Sequence, residues 1–218
     1  DNLELLNQVV RHDIRNDLQL VLAYAEVLED HVDDAGCDHL STVVESADSA
    51  IELTKTARDI AETMLTTDGE REPVSLSDPL EAQIEAIRST YDDAVVTVEG
   101  TIPDATVLAN EMLESVFRNV LKNAVQHNDA AVPEVTVSVT ATDERVVVRV
   151  ADNGPGVPDD RKAEIFGKGK KGLDSEGTGI GLYLVNTLVD QYGGSVWVDD
   201  GEPGGAVFSL ELAKSATG

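Results

Sequence analysis

A chain of 218 residues suits one medium domain or two small ones, and a hydrophobic share of 41% excludes a disordered acidic tail. Its 42 acidic residues against 16 basic ones give a net charge of −26, which repels nucleic acid and anionic membranes as general partners. The charge is spread along the whole chain, as expected of a halophilic protein that works where molar salt shrinks the screening length to roughly 3 Å.

The first pattern is helical. Leu3, Leu6, Val10, Ile14, Leu18, Val21, Ala25, Leu28 and Val32 recur three or four apart. From Ile14 onward the steps alternate 4-3-4-3-4, a bundle seam, and a 4-4 step just before it puts a stutter beside His12. The pattern is already under way at Asp1-Asn2-Leu3, so a fragment of a longer protein is expected. Asp33-Asp34-Ala35-Gly36-Cys37-Asp38 interrupts it, with Gly36 a natural terminator and Asp38 a candidate N-cap. A second stripe runs through Leu40, Val44, Ala47, Ile51, Thr54, Arg58, Ala61 and Leu65. Two helices alone bury little, so a homodimer forming a four-helix bundle is expected from residues 1–68.

A polar hinge, Thr66 to Pro73, separates this hairpin from a different texture at 74–213. Val74-Ser75-Leu76 reads as a short strand and Ser77-Asp78-Pro79 as a helix start. The patterns then predict a helix over 79–91, a strand at 95–99, an amphipathic helix over 110–127 and strands at 135–140 and 145–151. After a glycine-rich stretch come a helix over 178–191 and strands at 195–198 and 206–212. The expected architecture is multidomain: an all-α hairpin followed by an α+β sandwich, one mixed sheet covered by helices. The lone Cys37 permits no intramolecular disulfide and suits a cytoplasmic setting, and no run reaches the eighteen or so apolar residues of a membrane span.

Several residues carry chemistry. His12 lies off the apolar seam among charged neighbours; alone it reads as a surface histidine. Asn119 and Asn123 share a helix face, where amide oxygens can hold a hard cation beside phosphates. Asp152-Asn153-Gly154-Pro155-Gly156 follows the strongest strand. A carboxylate there suits an exocyclic amine such as adenine N6, and the glycines allow close approach; a simple turn is the plain alternative. Gly177-Thr178-Gly179-Ile180-Gly181-Leu182 opens a helix, where free N–H groups make an anion site. Upstream, Phe166-Gly167-Lys168-Gly169-Lys170-Lys171 concentrates positive charge in an otherwise acidic chain, which suits an anionic ligand.

In this order the motifs resemble those of the sensor histidine kinases of two-component signalling, over almost the whole chain. His12 to Leu18 resembles the phosphoacceptor box, Asn119 to Asn123 the N box and Asp152 to Gly156 the first glycine box. Phe166 resembles the F box, Gly177 to Leu182 the second glycine box and Gly201 to Ala206 a looser third. The resemblance implies a catalytic domain of the histidine kinase and gyrase type, with ATP and Mg²⁺ as cofactors and the receiver domain of a response regulator as partner. It implies His12 as the nucleophile, Asp13 as its orienting carboxylate and Asn16 as the residue that positions water for dephosphorylating the partner. It further implies Asn123 and Asn119 at the metal, and Asp152 with Gly154 and Gly156 at adenine. Lys168, Lys170, Lys171, Gly177, Thr178, Gly179, Gly181 and Leu182 would surround the phosphates. A halophilic archaeon is the expected source.

There are departures. Asp17 replaces the usual proline five residues after the histidine, and Gln126 and His127 stand where a basic residue and a tyrosine are common. His127 retains a ring that can stack on adenine. Gyrase- and chaperone-type relatives carry a glutamate at the position of Asn119, and an amide cannot serve as their general base. A degenerate, non-enzymatic scaffold is the remaining alternative, though every position needed for the chemistry is filled.

Overall fold

The computed structural model describes residues 2–29, 31–33, 36–37, 39–44, 46–47, 50–51, 54–55, 71–167 and 180–215, with side chains of residues 2–13 and of residue 15 outside the description. The chain divides into two compact units, Asp1–Glu62 and Thr63–Gly218.

In the first unit, helix α1 spans Asn2–Glu29 and every described residue between 36 and 55 is helical, forming α2. Asp33, rather than Asp38, caps α2: its Oδ1 accepts the Gly36 N–H at 3.0 Å and its carbonyl accepts the Cys37 N–H at 2.9 Å. Gly36 is therefore not a terminator but part of the first turn of α2. A Cβ there would lie 2.7 Å from the Val32 Cβ, so only glycine fits. Asp38 lies outside the described residues. Ala25 and Ala47 are buried, whereas Ile14, Val21, Leu28 and Val32 of the expected seam are exposed.

The second unit starts with β1 (Glu72–Ser75), which pairs antiparallel with β3 (Thr106–Ala109) in a two-stranded sheet. The main sheet holds β2 (Val95–Glu99), β4 (Glu134–Ala141), β5 (Arg145–Asp152), β6 (Ser195–Asp200) and β7 (Ala206–Ala213) in the order β2-β4-β5-β7-β6. Only the β2–β4 pair is parallel. The one mixed sheet expected from sequence is thus two sheets.

Helices α3 (Ser77–Thr90), α4 (Leu113–Gln126) and α6 (Gly181–Gln191) cover the sheet, and short α5 (Asp159–Lys162) lies beside β6. Period-two alternation turns Val146, Val148 and Val150 of β5 inward, opposite Leu212, Leu210 and Phe208 of β7. Period-3.6 spacing turns Val116, Phe117, Val120, Leu121 and Ala124 of α4 onto that layer. Burying a side chain of this size contributes roughly 1.5–3 kcal/mol, so this layer fixes where α4 and the β5 end lie. Helix α4 starts at Leu113, three residues later than the sequence pattern predicts, because Asn110 forms a turn. Its carbonyl accepts the Leu113 N–H at 3.1 Å and its Oδ1 the Met112 N–H at 3.0 Å.

Candidate nucleotide site

Strand β5 ends on Asp152, opposite Val135 at the start of β4. One carboxylate oxygen, Oδ1, accepts the Gly154 N–H at 2.9 Å and the Ala206 N–H at 3.1 Å. Burial pushes the Asp152 carboxyl above the usual carboxylate range, and these two N–H bonds oppose the rise. Asp152 is thus a half-buried carboxylate with one oxygen engaged by the backbone of two different strand ends.

Asn153 locks the turn after it. Its Oδ1 accepts from Asn128 Nδ2 and from the Glu134 N–H, each at 2.8 Å, and its Nδ2 donates to the Val132 carbonyl at 3.1 Å. Asn128 follows the C-terminus of α4, so this amide pair ties the Asp152 turn to the helix bearing Asn119 and Asn123. Gly154 sits against the same place: a Cβ there would lie 3.3 Å from the Asn128 Cα.

On α4, Asn119 and Asn123 are both half-buried and one turn apart. Asn119 Nδ2 donates to the Ser115 carbonyl at 2.7 Å, which fixes the amide orientation. Its Oδ1 lies beside the first residue of α6; a Cβ on Gly181 would come within 2.6 Å of it. His127 caps α4 through its N–H to the Asn123 carbonyl at 3.2 Å. Although solvent reaches its ring, partial desolvation holds the imidazole pKa below its usual value. Leu182 is half-buried beside Gly181, and Phe166 is buried after α5.

The structure thus brings Asn119 against Gly181, and Asn153 and Gly154, in the turn after Asp152, against Asn128 just past the end of α4. Gly156 belongs to the same cluster, its φ of +73° bringing it against the Gly205 carbonyl. Lys168, Lys170, Lys171, Gly177, Thr178 and Gly179 lie outside the described residues, as do the side chains of His12 and Asp13. The backbone of His12 and Asp13 is in α1, and Asn16 is exposed on that helix.

Sequence reasoning gave no part to Asn128, and it placed Asn153, Gly205 and Ala206 within glycine boxes without a role of their own; all four support Asp152 or its turn. It also missed Lys162 on α5, which pairs with Asp159 at 2.6 Å and Asp200 at 2.8 Å, fastening α5 to the end of β6. The lysine stands two residues ahead of the Glu164-Ile165-Phe166 turn, which was the available signal.

Residues 109–216 match the family described as histidine kinase-, DNA gyrase B-, and HSP90-like ATPase. The signal transduction histidine-protein kinase AfsQ2 of Streptomyces coelicolor is 29% identical over 92% of this chain. The second unit carries a domain similar to the ATPase domain of histidine kinases. This ATPase domain aligns with the mycobacterial sensor histidine kinase MprB at a TM-score of 0.60 and 25% identity, covering 67% of this chain and 99% of that one. The full-length kinase ShkA, solved in complex with AMPPNP, matches across 97% of this chain and 46% of its own length, at a TM-score of 0.65 and 25% identity. The chain spans 40% of the length of AfsQ2, so the ATPase domain and its N-terminal helices correspond to less than half of such a relative. Among the described residues no helix is long and apolar enough to cross a membrane.

Proposed function

We propose that this chain is the kinase core of a two-component sensor, which phosphorylates its own His12 from ATP and passes the phosphoryl group to an aspartate on a response regulator. The observation that carries the reading is that α4 links both parts: the Asn128–Asn153 bond ties the Asp152 turn to its end, and its Asn119 lies against Gly181 at the N-terminus of α6. A base acceptor, oxygen donors for a cation and a helix N-terminus for phosphate are the three contacts a magnesium nucleotide requires.

In the transfer step a neutral His12 ring nitrogen bonds to the γ-phosphorus as the bond to the β–γ bridging oxygen breaks and ADP leaves. Asp13 orients the ring and stabilises its positive charge until the proton passes to solvent. In the second step the P–N bond breaks as a carboxylate oxygen of the regulator bonds to phosphorus. Asn119 and Asn123 fit Mg²⁺, because Asn119 donates through Nδ2 to Ser115 and so keeps its amide oxygen as an acceptor. Bound there with the triphosphate, Mg²⁺ would supply charge neutralisation. Asp152 accepts from adenine, His127 stacks on the base, and Gly177, Thr178, Gly179, Gly181, Leu182 and the three lysines surround the phosphates. Asn16 orients water for removing phosphate from the regulator.

Residues 1–68 serve as the dimerisation and phosphoacceptor hairpin and 74–213 as the catalytic domain. Support for a homodimer comes from the apolar groove of Leu20, Val21, Tyr24, Leu28 and Val43, which opens to solvent along α1 and α2. The acid excess supports work in molar salt, as in a halophilic archaeon, and the partner class supports a cytoplasmic location.

Incubation with γ-labelled ATP tests the assignment. The protein should acquire label that survives base and is lost in mild acid, and His12→Gln should abolish labelling while leaving nucleotide affinity unchanged. Acid-stable label, or release of free phosphate without labelled protein, refutes it.

A further inference from the structure

The loop Gly201-Glu202-Pro203-Gly204-Gly205-Ala206 joins β6 to β7 and supports Asp152 through the Ala206 N–H. Its ends close on each other through the Gly201 N–H, which donates to the Gly205 carbonyl at 3.0 Å. Gly205 has a φ of +91°, a conformation that favours glycine, and a Cβ there would lie 1.9 Å from the Asp152 carbonyl oxygen and 3.0 Å from Asp152 Oδ1. The next N–H along the chain, that of Ala206, is the one bound to Asp152 Oδ1 at 3.1 Å. From the other side a Cβ on Gly156 would meet the Gly205 carbonyl at 3.0 Å. The ends of β5 and β7 therefore touch backbone to backbone at one carboxylate, beyond the last regular pair of the ladder, Ala151 with Val207.

This contact bears on how Asp152 meets a ligand. An unrestrained carboxylate rotates about its Cβ–Cγ bond and offers either oxygen. Here two N–H donors, from Gly154 and Ala206, hold Oδ1, while Oδ2 accepts no hydrogen bond among the described residues. Removing the Ala206 donor leaves only the local Gly154 contact, which moves with the turn that carries Asp152 itself.

We propose that Gly205 and the Ala206 N–H are positioning elements of base selection, holding Asp152 so that Oδ2 is the acceptor presented to a purine exocyclic amine. A purine with a carbonyl at that place meets a fixed lone pair and is rejected. The proposal rests on the assignment of Asp152 to adenine, and it makes the loop a determinant of specificity rather than a packing element alone.

The two roles separate by nucleotide. Mg·ATP and Mg·GTP affinities are measured by competition on the full chain for wild type, Gly205→Ala, Asp152→Asn and the double variant. Gly204→Ala serves as a control, since a Cβ there meets nothing within 4 Å. Gly205→Ala should weaken ATP about ten-fold, the size of one charge-assisted hydrogen bond, with GTP within about two-fold of wild type. The double variant should discriminate no worse than Asp152→Asn alone, because both changes remove one interaction. A folded Gly205→Ala that loses both nucleotides equally, or keeps the wild-type ratio, overturns the positioning role while Asp152→Asn still alters the ratio. An unaltered ratio in Asp152→Asn overturns the adenine assignment and this proposal with it. Should Gly205→Ala fail to fold, wild type decides by NMR: the Ala206 and Gly154 amide protons should follow the Asp152 carboxyl through one common acid titration, and a silent Ala206 amide overturns the proposal.

Discussion

Replacing Gly181 by alanine separates nucleotide chemistry from stability, because the new methyl group meets a polar side chain and not the core. It would stand 2.6 Å from Asn119 Oδ1 and 3.4 Å from Asn119 Cγ, closer than a Cβ tolerates for the oxygen. The amide must turn away, and turning breaks the 2.7 Å bond from its Nδ2 to the Ser115 carbonyl. That loss costs about 1 kcal/mol. Alanine regains up to about 1 kcal/mol over glycine inside a helix, and somewhat less in the first turn where residue 181 lies. The terms nearly cancel, so the melting temperature should move by less than about 4 °C. Alanine keeps the backbone N–H at the helix start, so a direct phosphate contact survives. What changes is the amide oxygen assigned to the cation. Titration calorimetry with ATP, in Mg²⁺ and then in EDTA, should show the magnesium-dependent part of the affinity reduced about ten-fold and the remainder unchanged. In an Asn119→Ala background the same substitution should have no further effect. Wild-type magnesium dependence in folded Gly181→Ala refutes the metal role of Asn119.

Two further outcomes follow from charge. Burial raises the Asp152 pKa against the pull of the Gly154 and Ala206 N–H groups. A carboxyl held above its unfolded value favours the fold as pH falls through that window and disfavours it as pH rises, whereas base recognition needs the ionised form. ATP affinity should therefore fall on acidification already above the ordinary carboxylate range without a matching loss of stability from this group, and Asp152→Asn should show no such step; an identical step in that variant refutes the assignment. With 42 acidic and 16 basic residues, thermal stability should rise from dilute buffer to molar KCl, while ATP affinity per folded molecule falls as attraction to the lysines is screened. A melting temperature flat or falling with salt removes the halophile reading.

The elements legible in sequence were those whose pattern is continuous along the chain. Helix α4 and strands β4 and β5 each carry enough apolar residues at one period to be recognised without their partners. Strand β3 has four residues, and its pairing with β1 more than thirty residues earlier leaves no local trace. Helix α5 is Asp-Asp-Arg-Lys, with no apolar face at all; Lys162 holds it through Asp200 on a distant strand. The hairpin break was located but its details were reversed. Glycine commonly ends helices, yet Gly36 opens one because Val32 leaves no space for a side chain. The site divides in the same way. Asp152, Asn119 and Asn123 stand out as candidates in sequence because their chemistry is unusual where they stand. The support from Ala206 does not, because it depends on the β5–β7 register, which brings residues 54 positions apart within hydrogen-bond distance.

Fold alone does not decide between phosphorylating a protein and hydrolysing ATP, since the matched family spans kinases, gyrase and a chaperone. The decision falls on the side chain at residue 119. A general base for water must accept a proton near neutral pH, and a carboxylate in a desolvated pocket can do so. The Asn119 amide has no such basicity, and its donor half is committed to the Ser115 carbonyl, which leaves one neutral oxygen beside the start of α6. An oxygen of this kind holds a hydrated cation well but cannot activate water. On the proposed function, a nucleophile would then be brought to the γ-phosphorus by another part of the protein. An imidazole is suited to that task, because a large share of it is neutral and nucleophilic at pH 7 without a dedicated base. On the proposed function, residue 119 and His12 would be two halves of one chemical choice: the amide withholds water activation, and the histidine would make that activation unnecessary.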